Sequence, residues 1–382
     1  MKLAPPTQIA YQGEMKLFPS PIAILAGSVI LAMTLPVSAV TEATTTPVGF
    51  TTLTVPGGGS VSAPTNTTIS VPLYNTPDFS GVVASVTSPD LITLTGANFS
   101  VTPSPVFADV ANPRLVRVTA SATAAHVGKF FLVTTNTTNQ LTVTGVADVT
   151  AVVSAGDSCE VLPANTLKTL FGDTLANATS VFVGYPAVQA TDWFFTGASA
   201  GAADNLLIWD PAATPQPTWV TFYNNGTNWK KSGNLGNQNN TIIYPDDGMF
   251  VVRRGSTALS LTLKGTVPST AEQTDLAGAG STFISNRFPV DMQLVQTGIQ
   301  LTTGWVTGAS ANAIPTPDKV FIWDPAASPV PTWGIYYHNG TIWKRSGNLS
   351  SQDAKLIPVG TAVFITKSSA ASTLTQALPY VP

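Results

Sequence analysis

Paired carboxylates carry most extracellular hydrolysis, one acting as acid and the other as nucleophile or base. Asp246 and Asp247 are adjacent acids, and Asp210 and Asp324 recur in an identical Trp-Asp-Pro-Ala-Ala context. In the corresponding stretch of a second copy, Asp246-Asp247 gives way to Gly360-Thr361. No environment that would push two carboxylate pKa values apart can be argued for either set. Asp210 and Asp324 each precede proline at the end of an apolar run, which an Asx-type turn explains. His126 and His338 are the two histidines, and His338 stands where the other copy has Asn224. Gly57-Gly58-Gly59-Ser60 does not join a strand to a helix, so it is no phosphate loop. Metal-ligand spacing of His and Cys, an acidic calcium loop and a haem motif are missing from the sequence. The residues therefore predict a protein that is not an enzyme, with no cofactor and no metal.

Aromatic residues are the remaining candidates. Trp209, Trp219 and Trp229 recur as Trp323, Trp333 and Trp343, with Tyr223 and Tyr337 between them. Two readings stand side by side. Aromatic faces beside Asn and Asp side chains can stack on sugar rings, which makes Trp219, Tyr223, Trp229, Trp333, Tyr337 and Trp343 candidate ligand or partner contacts. Alternatively, tryptophan supplies large apolar area to a small β module, and cross-strand aromatic pairs stabilise hairpins without any ligand.

These residues are positioned by a duplication. Residues 204–235 and 318–349 match at a constant offset of 114, with 21 of 32 positions identical. A period this long marks a copied module rather than a solenoid unit. Each copy has the same order: a Thr-Gly-Ala-Ser segment, a buried strand ending Ile-Trp-Asp, a proline-bearing loop and a hairpin. Asn225-Gly226 and Asn339-Gly340 supply the hairpin turns, since both residue types accept positive φ. A further strand ends each unit. Residues 180–188 (SVFVGYPAV) and 282–290 (TFISNRFPV) are matched as the opening strands.

Upstream, short runs of alternating apolar residues at 81–88, 91–96, 114–120, 129–135, 140–145 and 156–163 predict a small closed barrel or sandwich. Cys159 falls in the last of these and reads as a buried small apolar residue. As the only cysteine, it excludes an intramolecular disulfide. His126 falls in a turn and reads as solvated. Residues 163–180 predict a short helix with Leu167, Leu170, Phe171 and Leu175 on one face and Asn165 as its cap.

Composition bounds the class. Only 10 % of the 382 residues are charged and the net charge is −3, against about 25 % charged residues in ordinary soluble proteins. No basic face for phosphate is present, which excludes a nucleic-acid partner. Residues 15–39 carry one lysine, an apolar run and Val37-Ser38-Ala39, the pattern of a cleaved signal peptide. Met15 is the better start for that signal than Met1, and no membrane span is expected after cleavage.

The segments GVVASV, ITLTGA, HVGKFFLVTTNTTNQLTV, GDSCEVLPANTLKTLFG and WDPA…YYHNGTIWKRSGN…AVFITK, in that order, carry a resemblance. The chain resembles a paralogous family of secreted β-rich proteins from verrucomicrobial bacteria. The family implies bacterial export and growth by duplication, and transfers no activity, cofactor or site residue.

The expected architecture is all-β: signal peptide 1–39, a Thr/Pro/Gly-rich leader with short strands at 40–80, a small barrel plus helix at 81–180, module A at 181–265, and linker with module B at 266–382. The expected function is an exported structural or adhesive protein of a cell envelope or extracellular matrix, self-assembling into filaments. The alternative is a carbohydrate-binding protein using the Trp/Tyr hairpins. The expected partners are accordingly a second copy of the chain or surface glycans.

Overall fold

The structure, a computed structural model, describes residues 47–99, 111–174 and 194–381. The expected signal segment, Leu175 and the opening strand expected at 180–188 lie outside the described residues. What is described is nearly all β, with 43 % strand and 7 % helix, as the Val/Ile/Thr/Phe runs and the abundance of turn residues dictate.

Two strands open the chain, β1 (Val48–Val55) and β2 (Thr65–Ile69). Six more follow: β3 (Phe79–Thr87), β4 (Leu91–Leu94), β5 (Arg114–Ala120), β6 (Phe130–Asn136), β7 (Gln140–Thr144) and β8 (Ser158–Pro163). They close into a barrel in the order β3-β4-β7-β6-β5-β8, all neighbours antiparallel. Period-two alternation fills it. Ile92, Val116, Val118, Phe131, Val133, Leu141, Val143 and Val161 are buried together. Cys159 lies in the same cluster, and burial pushes its thiol up to about 12. His126 is buried as well, contrary to its expected solvation. Its Nδ1 lies 3.2 Å from Asp157 Oδ2 and 3.3 Å from Ser121 Oγ.

The chain leaves the barrel through β9 (Asn165–Thr166) and the five-residue helix α1 (Leu167–Phe171). The cap is Thr166 rather than Asn165. Thr166 Oγ1 accepts the Thr169 amide at 3.1 Å, and Thr169 Oγ1 accepts the Thr166 amide at 2.7 Å. Asn165 has another use: its Oδ1 accepts from Asn75 Nδ2 at 2.9 Å. Gly172, at φ 76°, ends the helix after one buried face of Leu167, Leu170 and Phe171.

The first module continues with β10 (Asn205–Asp210), β11 (Thr218–Asn224), β12 (Trp229–Lys231), β13 (Ile242–Ile243), β14 (Met249–Arg253) and β15 (Leu259–Thr266). The second comprises β16 (Glu272–Leu276), β17 (Ser281–Ser285), β18 (Met292–Gln293), β19 (Lys319–Asp324), β20 (Thr332–His338), β21 (Trp343–Arg345), β22 (Leu356–Ile357), β23 (Ala362–Thr366) and β24 (Ser372–Gln376). Its main sheet runs β21-β20-β19-β23-β17, backed by the ribbon β16-β24 and the short pair β18-β22. The first module's sheet runs β12-β11-β10-β14-β2, backed by β1-β15 and β9-β13. Strand for strand the two correspond, with β1, β2 and β9 in the places of β16, β17 and β18.

The duplicated unit is thus longer than the matched hairpin segment, and its first copy is interrupted. The strands of the expected leader belong to the first module's sheets: β1 pairs with β15 over eight residues, and β2 pairs with β14 over five. The barrel enters between β2 and β9, where the second copy has only the short connection from Ser285 to Met292. Each module then has its own core, Leu53, Ile69, Leu206, Phe222, Trp229 and Met249 in the first, and Ile284, Val320, Tyr336, Trp343 and Val363 in the second.

A buried ionic cluster ties the inserted barrel to the second module. Glu272 of β16 stands between Arg117 of β5 and Arg287, which follows β17. Arg287 Nη2 lies 2.6 Å from Glu272 Oε2 and donates to Tyr74 Oη at 3.0 Å. The Arg117 guanidinium lies over the Tyr74 ring at 4.7 Å. Burial drives the Tyr74 phenol well above its ordinary pKa. Gly128 makes the docking possible, because a Cβ there would meet Ala271 O at 2.5 Å. One buried carboxylate serving two guanidiniums gives a direct prediction. Glu272→Gln leaves Arg287 without its carboxylate and Arg117 with only the more distant Glu160, at 3.6 Å, and costs about 3–5 kcal/mol of stability. Urea unfolding measures this, and an unchanged midpoint contradicts the assignment.

Candidate functional site

Four of the six aromatic candidates are closed off. Trp229 and Trp343 are 0 % exposed, and Tyr223 and Tyr337 are buried beside them. Trp229 Nε1 donates to Gly172 O at 2.7 Å, and its ring packs edge-on to Phe194 at 5.2 Å and against Phe171 at 5.9 Å. Trp343 holds the matching place, with Trp305 edge-on at 5.8 Å. The hairpin folds these rings over the end of a small core that needs their area. They present no stacking platform, which corrects the expectation that Trp229 and Trp343 contact a ligand; Tyr223, 4 % exposed, reaches only the floor of a cleft on the outer side of its hairpin.

Trp219 and Trp333 are half-buried and face the other module. Trp219 sits directly opposite Trp209 across β10 and β11, and Trp333 sits opposite Trp323 across β19 and β20. Opposite residues share a sheet face, so each pair forms one patch, with ring centroids 5.2 Å apart in both cases. The two patches meet. Trp209 packs edge-on to Phe364 at 4.9 Å, and Trp323 packs edge-on to Phe250 at 5.2 Å. Trp209 Nε1 donates to Ser281 O at 2.8 Å, and Trp323 Nε1 donates to Asn66 O at 2.9 Å. Phe250 corresponds to Phe364 and Asn66 to Ser281 in the two sheets. The contact is therefore reciprocal, as in an isologous dimer interface, but within one chain. The rings of Trp219 and Trp333, expected to contact a ligand or partner, instead meet Phe283 and Phe250 of the sister module.

Backbone groups repeat the symmetry. The Ser70 amide donates to Gly360 O at 2.8 Å, and the Ser285 amide donates to Asp246 O at 3.0 Å. Asp246 and Gly360 are again equivalent positions. Asp246 is thus in the module contact, and Asp247 Oδ2 accepts the Tyr244 amide at 2.8 Å. Burial raises both carboxyls, and for Asp247 the neighbouring Asp246 adds to it, reaching about 8. This environment was invisible in the sequence, because only the fold brings the second module over the pair.

A second matched pair was missed. Asp204 pairs with Arg253, and Asp318 with Lys367 at 3.5 Å, all four buried. Each aspartate also caps chain ends: Asp204 accepts the Phe195 and Gly255 amides, and Asp318 accepts those of Val306 and Ser368. The signal was present, since both acids and both bases bound the matched repeat. The expected Asx turns are formed, with Ala212 N donating to Asp210 Oδ1 at 3.0 Å and Ala326 N to Asp324 Oδ1 at 3.2 Å.

Residues 197–201 spell Gly-Ala-Ser-Ala-Gly, which matches a nucleophile-elbow pattern by sequence. An elbow needs a strand-to-helix turn, whereas Ser199 is extended, at φ −146°, and leads a single 3-10 turn. His338 Nδ1 meanwhile accepts the Gly340 amide at 3.2 Å. Among the described residues no group of three His, Cys, Asp or Glu is placed to hold a metal ion. No described helix is long and apolar enough to cross a membrane. Comparison with protein-family models, curated proteins and solved structures returns no match.

Two predictions follow from the contact. Trp209→Phe and Trp323→Phe each remove one equivalent indole hydrogen bond, so each lowers the unfolding free energy by about 1–3 kcal/mol. Denaturant curves should give the two variants matching losses, and a strongly unequal pair contradicts the reciprocity. For Asp247, the folded-state pKa lies above that of the unfolded chain, so the folded state holds its proton longer. Stability falls as pH rises from about 4 to about 8. Asp247→Asn flattens this part of the melting-temperature profile, and an identical slope in the variant rules the group out.

Proposed function

We propose that the protein is an exported, non-enzymatic structural or adhesive building block of a bacterial cell envelope or extracellular matrix, and that it associates with copies of itself. The observation that carries this reading is the outer ribbon of the first module. Strand β1 pairs only with β15 among the described residues, and it turns Val48 and Phe50 outward, Phe50 being 78 % exposed. Its outer face continues with threonines, and Thr52 Oγ1 lies 3.3 Å from Thr262 Oγ1. A long edge strand with apolar and β-branched residues is a template for pairing with another strand. Behind it, three β units are tied by a buried ionic cluster and a reciprocal aromatic contact, a build suited to transmitting load.

Residues 40–382 should form regular polymers or discrete oligomers, seen by light scattering after size exclusion and by negative-stain microscopy of the same fractions. Phe50→Lys places a charge on the edge and should reduce the assembled fraction at least tenfold. A monomer at every concentration refutes self-association.

A further inference from the structure

The outer side of the first hairpin bounds a cleft of about 440 Å³, lined by Thr196–Ala198, Tyr223, Asn225, Lys230 and Leu235. Every one of these residues recurs in the second module, as Thr307–Ala309, Tyr337, Asn339, Lys344 and Leu349. Some neighbours have changed, Asn224 against His338 and Lys231 against Arg345, while Gly226, Trp229 and Asn234 recur as Gly340, Trp343 and Asn348.

Folding accounts for part of this. Asn225 Oδ1 accepts the Asn228 amide at 2.9 Å, and Asn339 Oδ1 accepts the Ile342 amide at 2.8 Å. A Cβ on Gly197 would meet Ala202 O at 2.5 Å. Tyr223 and Tyr337 are buried with the hairpin. These reasons do not reach Lys230 and Leu235. Leu235 is 74 % exposed and Leu349 is 69 % exposed. Neither Lys230 nor Lys344 is in an ion pair among the described residues. Lys230 Nζ donates one hydrogen bond, to Leu235 O at 2.9 Å, which holds the ammonium at the cleft wall. An exposed leucine and a cation without a carboxylate, kept together twice, point to a ligand rather than to the fold.

The backbone around the cleft matches that of the equivalent hairpin in the second module. Gly197 N donates to Asn224 O and Gly308 N to His338 O, each at 3.1 Å. The turns closed by Asn234 and Asn348 carry the same 2.9 Å bond to Lys231 O and Arg345 O.

We propose that the two hairpin clefts are equivalent binding sites for a hydroxylated carboxylate of the acidic-sugar class, so that one chain holds an acidic polysaccharide at two points. The ammonium of Lys230 or Lys344 takes the carboxylate. The Thr196 hydroxyl and the Asn225 amide nitrogen, which the turn does not use, supply hydrogen bonds to ring hydroxyls. Leu235 covers the apolar face of the ring. The cleft is open and lined largely by polar groups, so the ammonium and the hydrogen bonds, rather than apolar burial, hold the ligand. Two sites on one rigid body gain from effective concentration when the ligand is a polymer. This assignment is independent of self-association, since the clefts lie on the hairpins and the proposed assembly edge is β1.

The test is calorimetric titration of the full mature chain with a trimer of galacturonic acid at low salt, with maltotriose as the neutral control. The expected result is two equal sites per chain for the acidic trimer and at least tenfold weaker binding of maltotriose. Lys230→Met and Lys344→Met each reduce the stoichiometry to one. The double variant loses binding at least tenfold while its thermal unfolding changes little, because both side chains are only half-buried and neither is in an ion pair among the described residues. Absence of heat with the acidic trimer at millimolar concentration overturns the proposal. So does equal binding of maltotriose, or a double variant that binds as well as the native chain.

Discussion

A five-stranded sheet ends in edge strands whose backbone groups must find partners, and leaving them open invites uncontrolled pairing. In this molecule β2 and β17 are the corresponding edges of two homologous sheets, and each meets the other module. Ser70 bonds to Gly360, Ser285 bonds to Asp246, and an isolated bridge joins Asp247 to Ile284. The Trp209 and Trp323 indoles reach across to Ser281 and Asn66 on those same edges. A single surface therefore satisfies edge amides, brings together five aromatic ring pairs across the modules among the described residues, and fixes the two modules face to face. Because it is reciprocal, the indole hydrogen bonds and the edge-amide bonds each occur twice, while the Trp219–Phe283 contact and the Asp247–Ile284 bridge occur once among the described residues.

This constraint explains how the chain tolerates a large insertion. The barrel enters between β2 and β9, at the end of an edge strand already pinned by β14 on one side and by the second module on the other. The inserted unit brings its own closed hydrogen-bond ladder and its own core, so it asks little of its host. What it adds is a tie: Arg117 and Lys129 from the barrel reach Glu272 and Asp275 of β16. In a chain this poor in charge, several of the ionic groups are spent inside, holding units together, rather than on the surface.

Much of this was legible in the sequence. Alternation placed all six barrel strands, the Asn-Gly pairs placed both hairpins, and the Asp-Pro steps marked Asx turns, because each depends on residues close in the chain. The interruption was not legible from the constant offset of 114, which holds only within the uninterrupted hairpin half. The trace that was there is short: Thr67-Thr-Ile-Ser70 against Thr282-Phe-Ile-Ser285. The state of the tryptophans was also hidden. Period two assigns Trp209 and Trp219 to one face, but cannot say whether solvent, sugar or a sister module covers it. The buried pairs Asp204–Arg253 and Asp318–Lys367 join residues far apart along each copy, so only their recurrence at the two ends of the repeat, and no local pattern, marks them.

The account's central claim is that two copies of one module form an internal two-fold pair through their tryptophan faces. The most direct measurement is hydrogen exchange of the indole N–H groups, resolved by NMR on a chain carrying nitrogen-15 tryptophan. Trp209 and Trp323 should be protected to a similar degree, and both should approach the protection of Trp229, whose indole is bonded inside the first module. Their protection should be lost together when the modules separate in mild denaturant. Rapid exchange at Trp209 or Trp323 under native conditions, with Trp229 still protected, contradicts the paired arrangement while leaving the modules themselves intact.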